Sequence, residues 1–452
     1  MAHAIGDPLT KVKEAIFLQM KTFTLIAFLV GIALSSTACG DSDSQEPTAT
    51  PRPTRVARPT PTLEALPTVS SQDSLSKAGT ATTEGMPTPI PAVGQPAFET
   101  LVGQAAPELV GISNWINTSP FTLKDFLGKV VLIDFWTYTC VNCIRTLPIL
   151  KEWDDKYSTS GLVVIGLHSP EFEFEKDAAN VEKAVADFGI TYPNLQDNQM
   201  ATWKAYRNQA WPAKYLIDKD GIIRYSHFGE GAYDETEDEI RRLLKEAGVE
   251  GSLIEAGDII GGTYHKGAFV EDPELQLTRE LYTGLERNFT GLQFEGLPYV
   301  LHREYFENPD SDVLYVDEAS EHLNQFIYLE GLWHNHLESL QHARKTENYE
   351  DYILVNFRAS EVNVVLTVQE NAEPYEVRVL VDDAPVARQF AGADIRYDEQ
   401  ENSFMLVDQD RMYAVLSFPE FEGHELKLSS NSDSFSVFAY TFGAYTELHD
   451  IP

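Results

Sequence analysis

The sequence predicts an α/β domain followed by an all-β sandwich of jelly-roll-like character. Three observations point there. Residues 98–250 alternate apolar strand-like runs with amphipathic helical stretches, the pattern of a layered α/β unit. Residues 278–445 hold short strand-like segments separated by turn signals, with almost no helical pattern between them. The length of 452 residues is more than one ordinary domain needs.

Met20 to Cys39 has a basic start, an apolar run and small residues before a cysteine, which predicts an export signal too short to span a membrane comfortably. Ser36-Thr-Ala-Cys39 resembles the lipobox of bacterial lipoproteins, in which the cysteine is lipidated, although Ser36 stands where leucine is usual. Residues 1–19 do not suit a signal peptide, so translation is expected to start at Met20. An uncleaved hydrophobic anchor is the alternative, and both tether the chain to the outer face of a membrane. Residues 40–97 are rich in Pro, Thr, Ser and Ala. They cannot bury enough surface to offset their ordering entropy and should act as a semi-rigid spacer.

Residues 130–135 read as a buried strand of a parallel sheet. Cys140 and Cys143 follow, and then apolar Ile144, Leu147, Leu150 and Trp153 at helical spacing. This strand–loop–helix order sets Cys140 at a helix N-terminus, where unpaired N–H groups and the macrodipole favour a thiolate. Cys143, about one turn on, lies within reach for an intramolecular disulfide. The only other cysteine is Cys39, so no structural disulfide framework and no second thiol pair for zinc exist. Haem attachment would need histidine where Ile144 stands. The dithiol therefore reads as redox-active.

Further strands are expected over 162–167, 213–218 and 222–225, and helices over 181–188, 201–206 and 235–247. Lys219-Asp-Gly221 marks a hairpin turn. Residues 251–277 read as a linker. Strand-like segments then recur at 312–316, 325–329, 352–357, 362–366, 375–381, 404–407, 412–416 and 435–440. A net charge of -36 argues against nucleic acid and anionic headgroups as partners.

Asp134-Phe-Trp-x-x-x-Cys140-x-x-Cys143 resembles the active-site segment of thioredoxin-fold proteins. Gly128 to Trp136, Thr-Leu-Pro148 and Trp211-Pro-Ala-Lys-Tyr-Leu-Ile-Asp218 are similar to the TlpA/ResA-like extracytoplasmic thiol-disulfide oxidoreductases. His168 to Lys176, Tyr206-Arg-Asn and His227-Phe-Gly-Glu-Gly231 narrow the likeness to the soluble C-terminal part of DipZ-type proteins, a thioredoxin-like domain followed by a carbohydrate-binding-like β module. The resemblance implies an oxidoreductase with protein disulfides as substrates and no cofactor or metal beyond its own Cys140–Cys143 disulfide. DipZ-type proteins also carry a polytopic electron-transferring domain. Its counterpart here is expected in trans, as a membrane donor of the CcdA/DsbD type, and a glycan is the ligand implied for the β module.

Residue by residue, the resemblance implies that Cys140 attacks with a depressed pKa, Cys143 resolves, and a buried Asp134 with a raised pKa relays the proton. It also implies a cis-proline loop at Pro212 and an active-site glutamate at Glu171, with Glu173 and Glu175 close in register; Trp136 and Trp211 are candidates for a substrate groove, with buried aromatics the default for both. Arg145 either steadies the thiolate or points into solvent. In the β domain, His334 and His336 share one strand face as a possible metal pair but read as ordinary histidines, and Trp333, Tyr328 and Tyr352 are a possible sugar platform, although aromatics in a β-sandwich are mostly core. Two alternatives stay open. One is a thiol peroxidase, since Thr137 sits three before Cys140 as in peroxiredoxins, although Ile133 replaces their proline. The other is a glycan-binding surface lipoprotein with a subsidiary redox domain.

Overall fold

The computed structural model describes residues 101–249, 275–294, 298–368 and 372–444. The export signal with Cys39, the 40–97 spacer and most of the 251–277 linker lie outside the described residues.

The first unit is a six-stranded sheet in the order β1-β4-β3-β2-β5-β6. Its strands are β1 (Asn114–Ile116), β2 (Val130–Trp136), β3 (Leu162–His168), β4 (Asn194–Gln196), β5 (Ala213–Ile217) and β6 (Ile223–Phe228). The helices are α1 (Val141–Tyr157), α2 (Ala178–Asp187), α3 (Ala201–Ala205) and α4 (Tyr233–Glu246). Every residue of β2 is buried, as its continuous apolar run requires of a central strand covered on both faces. Val130 and Leu132 pack with α1, α2 and α4, whereas Val131, Ile133 and Phe135 pack with Trp203 and Tyr206 around α3. Strand alternation therefore puts Asp134 on the α1 face, beneath the start of that helix. The β5–β6 turn closes on Gly221 at φ +81°, a left-handed position glycine takes without strain, while Asp218 Oδ1 accepts from the Asp220 and Ile222 N–H groups at 3.0 Å.

Among the described residues the second unit is mostly β, with two α-helices, α5 (Leu285–Phe294) and α6 (Arg303–Glu307), which weak apolar periodicity hid in the sequence. Its strands are β7 (Leu281–Tyr282), β8 (Asp312–Tyr315), β9 (Ile327–Asn335), β10 (Leu340–His342), β11 (Tyr352–Thr367), β12 (Tyr375–Val381), β13 (Ala384–Pro385), β14 (Arg396–Tyr397), β15 (Ser403–Val407), β16 (Arg411–Ser429) and β17 (Ser436–Gly443). All eleven join one antiparallel sheet. The expected segments 352–357 and 362–366 are a single strand, because register shifts at Ala359/Glu361 and Val362/Asn363 let β11 bend without breaking. Along one edge β11 pairs first with β9 and then with β17. One continuous core fills this unit. Trp333 and Tyr328 are 0% and 4% exposed, core aromatics as is usual in a β unit, so no stacking surface forms from them.

The two units pack directly against each other. Phe172 and Phe174, on the loop after β3, meet Phe438 of β17 edge-on at 5.2 and 5.0 Å between ring centroids. Tyr282, Val365 and Ala439 complete that apolar cluster. Among the described residues no helix is long and apolar enough to cross a membrane.

Candidate active site

Cys140 is the N-cap of α1, and its Sγ accepts the Cys143 N–H at 3.3 Å. Both cysteines are free thiols, Cys140 partly exposed and Cys143 buried. A sulfur at that position takes one of the helix's unsatisfied donors, which favours its thiolate. Other terms win. Burial pushes the Cys140 thiol up, and the nearby Glu280 and Glu171 carboxylates add to it, outweighing the hydrogen bond from Cys143. The depressed pKa expected from helix position is therefore corrected: those opposing carboxylates come from far along the chain. Cys143 is pushed well above its ordinary value, by burial first and then by Cys140 and Asp134.

Asp134 is 1% exposed, and neither carboxyl oxygen has a hydrogen-bond partner. Burial pushes it up to about 7, against the pull of Lys214. Lys214 is its register partner across β2 and β5 and is 0% exposed. Burial pushes this lysine down, and Asp134, Cys143 and Glu230 oppose that. Lys214 carries no motif signal of its own in the sequence, although a lysine inside the apolar run 213–217 is the kind of buried charge that needs a partner.

The Trp211–Pro212 bond is cis. Trp211 is half-buried, its indole N–H donating to the Ser169 carbonyl at 2.9 Å and its ring 4.2 Å from that of Trp203. Trp136 stands elsewhere. It is 1% exposed, in the core, with its indole N–H on Asn194 Oδ1 at 2.9 Å, so it lines no groove. Gly166 makes room for that contact, since a Cβ there would fall 2.2 Å from the same oxygen.

Glu171 is held on the second unit, accepting from Tyr282 Oη at 2.9 Å and Arg287 at 2.7 Å. Glu280 belongs to the same group: it stands at the surface near Tyr282, Arg287 and Glu171, and the Glu171 carboxylate beside it raises its pKa. Of the two rivals to Glu171, Glu173 pairs with Lys176 at the surface. Glu175 is fully buried, accepts from Thr139 Oγ1 and from the Glu171 N–H at 2.5 Å each, and is pushed up to about 7 by burial. It thus ties the loop carrying Glu171 to the residue preceding Cys140. Arg145 neither steadies the thiolate nor points into solvent. It reaches Glu361 of β11 at 2.5 Å, with Glu230 at 3.7 Å. A cleft of about 450 Å³ between the units is lined by Tyr138 and Ile144 beside the dithiol and by Glu361, Asp410, Arg411 and Met412 opposite.

A Cys-x-x-Cys at the N-terminus of the helix that leaves the central strand, above a buried carboxylate, defines a thioredoxin-like redox domain. Residues 102–226 match the AhpC/TSA family, and residues 300–443 match the thioredoxin-like C-terminal domain family. The chain is 52% identical over 145 residues to protein DipZ of Mycobacterium tuberculosis, covering 31% of this chain but only 21% of DipZ. It is 33% identical to the thiol-disulfide oxidoreductase YkuV of Bacillus subtilis, covering 32% of this chain and 96% of YkuV. With ResA of Geobacillus thermodenitrificans, also a thiol-disulfide oxidoreductase, identity is 32% over 27% of this chain and 67% of that protein. The chain belongs to the thioredoxin-like thiol-disulfide oxidoreductases.

Proposed function

We propose that the chain reduces protein disulfides outside the cytoplasm, through the Cys140–Cys143 dithiol, while tethered to the membrane. The observation that carries this reading is Cys140 Sγ capping α1 on the Cys143 N–H, with unpartnered Asp134 buried on the α1 face of β2. The Cys140 thiolate attacks a substrate disulfide, forming a mixed disulfide and releasing one substrate thiolate. Asp134 takes the Cys143 proton. The Cys143 thiolate then attacks Cys140 Sγ, expelling the second substrate thiolate and leaving the Cys140–Cys143 disulfide. Two electrons pass to the substrate and two protons complete its thiols.

The reducing direction is supported by the raised Cys140 pKa. Strong oxidants of this fold owe their potential to a stabilised reduced thiolate, and burial with Glu280 and Glu171 withholds that stabilisation here. Re-reduction is assigned to a membrane donor of the CcdA/DsbD type acting in trans, and the tether to Cys39; the signal-like sequence and the likeness to DipZ support both. Trapping tests the reading: Cys143→Ser should accumulate a mixed disulfide with a protein substrate, and Cys140→Ser should not. Equal trapping by both variants would refute the assignment.

The AhpC/TSA match favours a second reading, a thiol peroxidase. Thr137, the residue that reading needs at the thiol, lies buried with its hydroxyl 3.3 Å from His168 Nε2. Consumption of hydrogen peroxide with a thiol donor, faster than disulfide reduction, would favour it.

A further inference from the structure

His334, near the end of β9, and His336, one residue beyond that end, hold their imidazole rings 4.1 Å apart between centroids. Asp310 lies just before β8, the strand paired with β9, and its Oδ1 is 3.2 Å from His334 Nε2. One ligand atom from each of Asp310, His334 and His336 falls within 4.8 Å of the other two. Two ligands on a tetrahedral ion with bonds of about 2.0–2.1 Å stand roughly 3.3 Å apart. The observed 3.2 Å already matches that spacing.

The surroundings orient the same groups. His334 Nδ1 is 2.6 Å from Oδ1 of Asp312, its register partner across β8 and β9. A carboxylate on one imidazole nitrogen fixes the tautomer and aims the other nitrogen at a metal. Gln341, on neighbouring β10, holds the His336 ring through Nε2 at 3.0 Å. His334, His336 and Asp312 line an open pocket of about 400 Å³, and the His334 side chain is 25% exposed, so an ion can reach them.

We propose that Asp310, His334 and His336 bind a divalent transition-metal ion of the zinc class, with Asp312 orienting His334. The ion replaces the proton between His334 Nε2 and Asp310. The two carboxylates offset its charge, and the chain's net charge of -36 favours a cation. Three protein ligands leave a fourth position for water or another donor. The histidines read as ordinary because the sequence lacks the carboxylate spacing that would follow such a pair, and the third ligand comes instead from the turn leading into β8.

The test is calorimetric titration of zinc chloride into the full chain carrying Cys39→Ser, Cys140→Ser and Cys143→Ser, which removes the thiols as competing ligands. One saturable site and a melting temperature that rises with zinc are expected. His336→Gln and Asp310→Asn should each weaken binding at least tenfold, and Asp312→Asn about 10- to 100-fold. His424→Gln removes a histidine paired with Asp382 elsewhere in the unit and should leave affinity unchanged. No saturable binding would overturn the proposal. So would binding unaffected by His336→Gln and Asp310→Asn in variants that melt as cooperatively as the parent, leaving only a histidine–carboxylate hydrogen-bond cluster.

Discussion

Asp134 and Lys214 stand opposite each other across β2 and β5, both buried and neither hydrogen-bonded by a protein group. Each is driven toward its neutral form by burial and held toward its charged form by the other. Asp134, pushed up to about 7, changes protonation near neutral pH, where the resolving thiol above it needs a base.

The pair makes stability depend on pH with a definite sign. Unfolded Asp134 ionises at about 3.8 and folded Asp134 at about 7, so between those values the folded state holds the extra proton. Its contribution to stability therefore falls as pH rises through that window and is flat above it. At about 1.36 kcal/mol per unit, Asp134→Asn should gain about 2–4 kcal/mol on the parent between pH 4 and pH 8, with the lower figure reflecting Lys214 left unpaired. Denaturant unfolding at both pH values measures it. A variant equally offset from the parent at both would contradict a raised folded-state pKa.

Asp134→Asn should also slow resolution of the mixed disulfide by about 100-fold near neutral pH, the range of a lost general base. Single-turnover release of a second substrate thiol reports this step. Initial attack by Cys140 should change little.

Lys214→Met removes the cation that holds Asp134 down, so the pH midpoint of resolution should move upward. A midpoint that stays in place would separate Lys214 from the proton relay.

The strand leading into Cys140 and Cys143 was legible because it is a continuous apolar run followed by helical spacing, and both signals are local. What surrounds the dithiol was not. Glu280, Tyr282 and Arg287 fall where the sequence is weakly patterned, and Arg287 meets Glu171 across 116 positions of chain. No short-range pattern encodes such a contact. Trp136 could be read either way, because a tryptophan beside an active-site motif has the same local signature in a groove and in a core, and the core holds it. The continuity of β9 from Ile327 to Asn335 is not legible because Glu330, His334 and Asn335 interrupt its apolar pattern.

Cys140 should ionise above the ordinary cysteine range, as burial, Glu280 and Glu171 require. Iodoacetamide alkylation of Cys143→Ser across pH measures it. Glu280→Gln should lower the midpoint. A parent midpoint below about 7.5, where activated cysteines lie, would contradict the electrostatics described.

Glu361→Ala should destabilise the chain by about 1–3 kcal/mol, less than the 3–5 of a fully orphaned buried charge because Glu230 remains beside Arg145. Thermal unfolding with Arg145→Ala and the double variant gives the coupling. Strictly additive losses would mean the pair does not join the units energetically.

The most direct test of the central claim is a redox titration of the full chain against thiol buffers, following Cys140 and Cys143 by alkylation. Dithiols of this fold span about -120 to -270 mV. A reversible two-electron transition near the low end, abolished by either Cys→Ser substitution, is predicted. A transition near the high end would make the protein a disulfide donor, and no reversible transition would remove the dithiol mechanism altogether.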